Sequence, residues 1–222
     1  MPACFVGVDV SERRGLDIVV LGADLRLVEP PRARQTAADL GAVLENLRPA
    51  CVAIDSPPAF GTEGSSRRCE RDLAALGLPC FRTPSDPEQC LNPFYNWMRA
   101  GHEAFAAAAS AGYPLFRDGD SVTGCALEVF PHAAAVALTG SRPPPGSSRN
   151  PAEKRRWRLA ALARAGVETA ALRTLDAVDA ALAALAGLYA YRDECFLVGD
   201  PKEGVIIVPG SRPTEAYPRS KS

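Results

Sequence analysis

The stretch CFVGVDVSERRGLDIVVL, Cys4 to Leu21, decides the reading of this chain. Two apolar runs, residues 4–10 and 16–21, flank a polar turn from Ser11 to Gly15, the pattern of a β-hairpin. Side chains alternate along a strand, so Phe5, Gly7 and Asp9 share one face while Val6, Val8 and Val10 take the other. An aspartate closing an otherwise apolar strand is either a turn residue or a functional one.

Working outward, residues 25–29 (LRLVE) read as a third strand after a turn at Gly22 to Asp24. Thr36 caps a helix to about Leu47, with Asp39 at its third position, and Pro49 ends it. CVAID, residues 51–55, is a fourth strand, apolar until its last residue. A helix followed by a buried strand implies that the fourth strand runs parallel to the first. The order β-β-β-α-β is that of the ribonuclease H-like superfamily. The expected fold class is therefore α/β, a mixed five-stranded sheet ordered 3-2-1-4-5 and flanked by helices, with the first, fourth and fifth strands parallel.

Downstream, residues 56–66 read as a loop, followed by a short helix to Leu76 and a proline-marked loop over 79–92. Asn92-Pro93 opens a helix to about Ala111, whose Phe94, Tyr95, Trp97 and Met98 are either core or a stacking surface for a base. Cys125 to Phe130 gives the fifth strand, and Pro131 to Leu138 a helix. GSRPPPGSSRNP, residues 140–151, reads as a mobile insertion. Asn150, Pro151 and Glu153 start a helix to Ala165. A long helix spans roughly 172–191, and two apolar pieces, 196–198 and 205–209, finish the fold. This organisation predicts one domain over residues 1–209, with 210–222 a frayed C-terminal tail.

The chain has 222 residues, 47% hydrophobic and 23% charged, with net charge −1. That is ordinary for a globular protein, and no run has the roughly 18 apolar residues of a membrane helix. The start lacks the basic segment and cleavage site of a signal peptide, which predicts a cytoplasmic protein without a membrane partner. Seven cysteines without a C-x-x-C pair, beside only two histidines, point away from disulfides and zinc. Cys4, Cys51 and Cys125 fall in apolar strand-like runs, where a free thiol is a small core residue. Near-zero charge gives no global field for nucleic acid. Arginine is nevertheless concentrated at Arg67-Arg68, Arg71 and Lys154-Arg155-Arg156-x-Arg158, as solvated helix faces or as phosphate contacts.

From Ala177 to Ala190 the long helix has a single charged residue, Asp179. A helix apolar nearly all round is buried, and a buried carboxylate needs a cation or several donors. Asp176 and Asp179, three apart, sit side by side. They read as a metal-binding pair, or else Asp176 starts the helix and Asp179 pairs with an arginine. Asp9, Asp55 and Glu128 each follow, two positions on, a glycine or alanine (Gly7, Ala53, Ala126). A row of small residues on one sheet face would let the alanine-rich helix lie close and bring its aspartates towards the strand acids. Several carboxylates in one cleft cannot all stay ionised without a divalent ion.

Gly7-Val-Asp9-Val-Ser11, Ala53-Ile-Asp55-Ser56-Pro57, Leu127-Glu128-Val-Phe-Pro131 and Asp176-Ala-Val-Asp179-Ala180-Ala181 resemble the motifs of the family catalogued as domain of unknown function 429. Arg68-Cys-Glu70 and Phe81-Arg82-Thr-Pro84 are similar to its patterns too, so the likeness spans roughly residues 4–208. The resemblance implies a nuclease with a ribonuclease H-like fold. The last motif is similar to the Asp-x-x-Asp-Ala helix of Holliday junction resolvases, whose acids hold magnesium. By that likeness Asp9, Asp55, Asp176 and Asp179 are metal ligands, whereas Glu128 lies on a strand the resolvases do not match.

The resulting expectation is an enzyme, a phosphodiesterase dependent on Mg2+ or Mn2+, with Asp9, Asp55, Glu128 and Asp179 catalytic. Two metals about 4 Å apart would activate a water and stabilise the leaving oxygen, with Asp9 bridging them. Arg68, Arg82 or Lys154 would hold a phosphate. The substrate would be nucleic acid, short or structured, or a small phosphoester. Two rivals share the fold core: a nucleotide-binding or phosphotransfer protein, weakened by the glycine-poor loop Ser11 to Gly15, and a non-catalytic metal- or ligand-binding module.

Overall fold

β1 (Cys4–Ser11) and β2 (Gly15–Gly22) form the expected hairpin, antiparallel from Cys4 opposite Gly22 to Ser11 opposite Gly15. The computed structural model of the chain describes residues 2–62, 64, 66–146 and 150–220. The third strand lies later than expected. β3 is Arg32–Gln35, and the stretch 25–29 keeps only a single bridge, Leu27 to Leu21. The cause is local. Leu25 sits in the left-handed region at φ 66° to close a turn on Gly22, and Pro30 and Pro31 remove two backbone donors before pairing resumes.

Helix α1 (Ala37–Leu47) starts as predicted, with Thr36 Oγ1 accepting from the Asp39 N–H and Asp39 returning to the Thr36 N–H. It leads into β4 (Cys51–Asp55), parallel to β1. β5 (Ala126–Glu128) pairs parallel to β4, so the sheet order is β3-β2-β1-β4-β5. This is the expected mixed sheet, ordered 3-2-1-4-5 with the first, fourth and fifth strands parallel.

Between β4 and β5 run α2 (Arg68–Ala75), a one-turn α3 (Pro87–Cys90) within the expected loop, a 3-10 turn at Pro93–Tyr95, and α4 (Asn96–Ser110). α5 (Pro131–Thr139), α6 (Pro151–Arg164) and α7 (Leu175–Tyr191) follow. β6 (Cys195–Asp200) and β7 (Gly204–Pro209) make a separate antiparallel hairpin, tied to the end of β5 by a bridge between Val129 and Ile207. Residues 147–149 of the predicted insertion lie outside the described residues. Among the described residues the tail after Pro209 is anchored as far as Ser220 rather than frayed. Tyr217 is buried and donates its N–H to Leu76, while Arg142 and residues 218–220 exchange backbone hydrogen bonds.

α7 lies on one sheet face, against Phe5, Cys51, Ala53 and Leu127; α1 and α4 cover the other, against Val6, Val8, Val52, Ile54 and Ala126. The approach of α7 requires Gly7, because a β-carbon there would run into the backbone of Ala180 and Ala184. Gly187 matches it from the helix side, facing Cys51 and Ala53. All seven cysteines are free, and Cys51, Cys69 and Cys125 are buried. Among the described residues no helix is long and apolar enough to cross a membrane.

Candidate active site

Parallel strands end together, and this sheet ends on acids. Asp9 and Asp55 close β1 and β4 as directly registered neighbours. Both belong to the face that α7 covers, the face of Gly7 and Ala53. α7 begins at the same end, with Thr174 capping it through the Ala177 N–H at 3.0 Å, and its first two turns bring in Asp176 and Asp179. A cleft of about 510 Å³ opens here, at the carboxyl ends of the strands where α/β sheets bind ligands. Asp9, Asp55, Glu128, Asp176, Asp179 and Lys154 all line it, so the structure brings together six of the eight residues singled out from the sequence.

Arg68 and Arg82 are not among the lining residues. The Arg68 guanidinium is spent on Asp72 one helical turn away, at 2.8 Å on the exposed side of α2. Arg82 is exposed on the loop after α2.

Glu128 requires a correction. Its register partner is Ile54 rather than Asp55, and Ala126 pairs beside Val52, so Ala126 and Glu128 belong to the sheet face opposite Asp9. Leu127 is the β5 residue on the α7 side. The small residue two positions before Glu128 therefore makes no room for α7. Glu128 instead accepts two hydrogen bonds from Arg67, at 2.6 and 2.8 Å, with both groups buried. Arg67 also reaches Glu70 at 3.1 Å, and Glu70 in turn accepts from the Thr83 N–H and hydroxyl. The buried guanidinium thus holds the Glu128 carboxylate bidentately, one bond to each oxygen.

The remaining acids fall into two sets. Asp176 pairs with the exposed Arg14 at 3.0 Å, and Asp179 with Arg158 of α6, which is itself buried. Asp9 and Asp55 accept no hydrogen bond from any described side chain or backbone group. Burial drives the Asp9 carboxyl well above the usual carboxylate range, and the charges of Asp55, Asp179 and Asp176 push it further. Asp55 is raised to about 8, by burial first and then by Asp179, against the pull of Arg158 and Lys154. Asp179 is raised too, because burial outweighs Arg158. Lys154 is lowered by burial and by Arg158.

These residues suit a divalent cation in chemistry and in place. The donors are carboxylate oxygens, which hard cations prefer. Asp179 Oδ1 is buried with no hydrogen-bond partner, and so is Arg158 Nε on the other side of the same pair. No ready cage exists, however: among the described residues no three acid, histidine or cysteine side chains stand as a group able to hold an ion.

Arg67 and Arg158 stand in clusters that the sequence presents as solvated helix faces or phosphate contacts, not as individual buried cations. A signal for Arg158 was present. It shares an α6 stripe with the buried Ala161 and Leu162, three and four positions on, and with Lys154 one turn before. A cation on an inward stripe implies a buried acid opposite.

The sequence model of the family described as "Protein of unknown function (DUF429)" matches residues 7–203. No curated protein matches the sequence. Among solved structures, RuvC from Thermus thermophilus is 17% identical, over 86% of this chain and 95% of that one, with a TM-score of 0.44. T. thermophilus RuvC in complex with Holliday junction substrate is 18% identical, over 86% and 94%, with a TM-score of 0.46.

Proposed function

We propose that this chain, which belongs to the family described as protein of unknown function (DUF429), is a nuclease-type phosphodiester hydrolase working with Mg2+ or Mn2+. The observation that carries the proposal is a shortage of positive charge at one point. Asp9 and Asp55 lack donors, Asp179 leaves Oδ1 unpaired, and all three carboxyls are raised in the cleft they share. Asp9, Asp55 and Asp179 would hold the ion, with Asp176 at its edge. Once bound, a divalent ion supplies Lewis-acid polarisation of a phosphoryl group and neutralises its charge.

The chain's own residues would do the rest. Lys154, half-buried on the cleft wall, would hold a phosphate oxygen. Asp9 and Asp55, half-buried side by side at the ends of β1 and β4, would place the ion against the reacting phosphate. Glu128 is assigned to the scaffold with Arg67, and Arg68 and Arg82 have no part. In this reading residues 1–209 form the catalytic unit, and the substrate is nucleic acid or a small phosphoester met in the cytoplasm. Net charge −1 favours a short or structured substrate over long duplex.

The test combines calorimetry with cleavage of labelled oligonucleotides in millimolar manganese. Wild type should bind the ion and cleave, while Asp9→Asn and Asp55→Asn, checked for folding by thermal melts, should do neither. Cleavage that persists in EDTA, or in both variants, would overturn the proposal.

One observation favours a second reading. Arg158 already gives Asp179 a cation, so the acids could serve as a charge cluster in a binding module without turnover. Calorimetry in which manganese does not bind, while a nucleotide does, would select that alternative or a phosphotransfer protein.

A further inference from the structure

The acid cleft has a second wall, and that wall is aromatic. Phe81, Phe94 and Trp97 line the same cavity as Asp9 and Asp55. Phe81 is 64% exposed and Phe94 54%, which is unusual for rings so large. They form one continuous cluster. The Phe81 and Phe94 centroids are 5.6 Å apart, Phe81 and Trp97 6.0 Å, and Phe94 and Tyr95 5.0 Å. Exposed aromatic area beside a polar cleft marks a recognition surface.

The wall is held from both sides. Two residues after Phe81, the Thr83 N–H and hydroxyl bond to Glu70, which Arg67 fastens to Glu128 at the end of β5. On the other side Asn92 accepts from the Phe94 N–H at 2.9 Å, and Asn96 Nδ2 donates to Glu12 at 2.8 Å, in the turn that follows Asp9. The buried Glu128–Arg67–Glu70–Thr83 chain thus sets the place of the rings relative to the acids. Rings anchored before a ligand arrives lose little freedom when it binds.

We propose that Phe81 and Phe94, backed by Trp97, form a stacking subsite for an unpaired nucleobase, so that the substrate is a single-stranded or splayed nucleotide chain. The inference rests on the cleft being a phosphodiester site. An exposed ring face accepts any base, because every base has a π-face. A base inside a duplex has both faces occupied by its neighbours and cannot use such a wall. The chain has no net basic field with which to hold duplex phosphates, so affinity has to come from contacts of another kind. A base stacked here would leave its own phosphate in the cavity that holds the acids and Lys154.

The experiment compares two probes of equal length and charge, a labelled single-stranded oligothymidylate and an abasic deoxyribose-phosphate oligomer. Binding to the full chain is followed by fluorescence anisotropy in calcium. Wild type should prefer the oligothymidylate by about five- to hundredfold, the range of base stacking on aromatic side chains. Phe81→Ala combined with Phe94→Ala should bring the two probes to equal affinity, and Phe81→Trp should keep the preference. Equal affinity of wild type for both probes overturns the subsite, as does absence of oligonucleotide binding, which would leave the wall to a protein partner. Cleavage of the abasic oligomer in manganese tests the hydrolase reading separately. Turnover without base preference sinks only the subsite, and base preference without turnover sinks only the hydrolase.

Discussion

Replacing Arg158 with methionine keeps most of the side chain's length and removes its charge. Arg158 is 5% exposed, its partner Asp179 is 6% exposed, and Asp9 and Asp55 share the same cleft. Removing one partner of a buried ion pair costs about 3–5 kcal/mol, because the other charge is stranded. For a chain of this size each kcal/mol lowers the melting temperature by about 2–4 °C, so Arg158→Met should melt about 6–20 °C below wild type in EDTA. The deficit should shrink at pH 5, where Asp55, raised to about 8, is protonated and one negative charge fewer faces the stranded Asp179. It should also shrink in the double variant Arg158→Met with Asp179→Asn, since losing both charges is nearly neutral. The assay is differential scanning fluorimetry at pH 5 and pH 8, with and without manganese. If Arg158 occupies the place of an ion, manganese should stabilise Arg158→Met more than wild type. A single variant as stable as wild type, or a double variant no better than the single one, would refute the pairing and the reasoning built on it.

Other outcomes follow from the same geometry. Manganese at a hundredfold excess over Kd should stabilise wild type by about 2.7 kcal/mol, a rise of about 5–11 °C, and Asp9→Asn should lose this response in the same melts. The metal-free protein should weaken as pH rises. A carboxyl raised in the folded state, as Asp55 is to about 8, binds a proton that the unfolded chain has already released above about pH 4. Stability should therefore fall by about 1.4 kcal/mol per pH unit per such group between about pH 4 and 8, and urea melts giving the opposite slope would contradict the raised carboxyls. Glu128→Gln should cost about 3–5 kcal/mol by stranding Arg67 yet leave the manganese shift intact; loss of that shift would return Glu128 to the metal site. Gly7→Ala should destabilise by about 1–3 kcal/mol or more by driving α7 off the sheet. Gly41→Ala, whose β-carbon would meet nothing within 4 Å in the middle of α1, should stabilise by up to about 1 kcal/mol, and equal melts for the two variants would dismiss the close approach of α7.

Local chemistry made the framework readable from residues alone. The alternation around Asp9, the Thr36–Asp39 cap, the apolar CVAID and the all-apolar helix around Asp179 each state their structure within a few positions. Together they imply strand order 3-2-1-4-5 and place Asp9 beside Asp55. What the sequence could not state is anything that depends on register or on a partner distant in the chain. The two prolines before Arg32 moved β3, although the β-propensity of LRLVE pointed earlier. One step of β4–β5 register put Leu127, rather than Ala126 and Glu128, on the α7 face, and no local pattern records that step. The cations were least legible of all. In sequence Arg67 and Arg158 belong to clusters that fit solvated faces or phosphate contacts. Only the folded chain brings Arg67 to Glu128, 61 residues away, and Arg158 to Asp179. A side chain's periodicity says which way it faces, whereas its charge is answered by whatever the tertiary fold places opposite it.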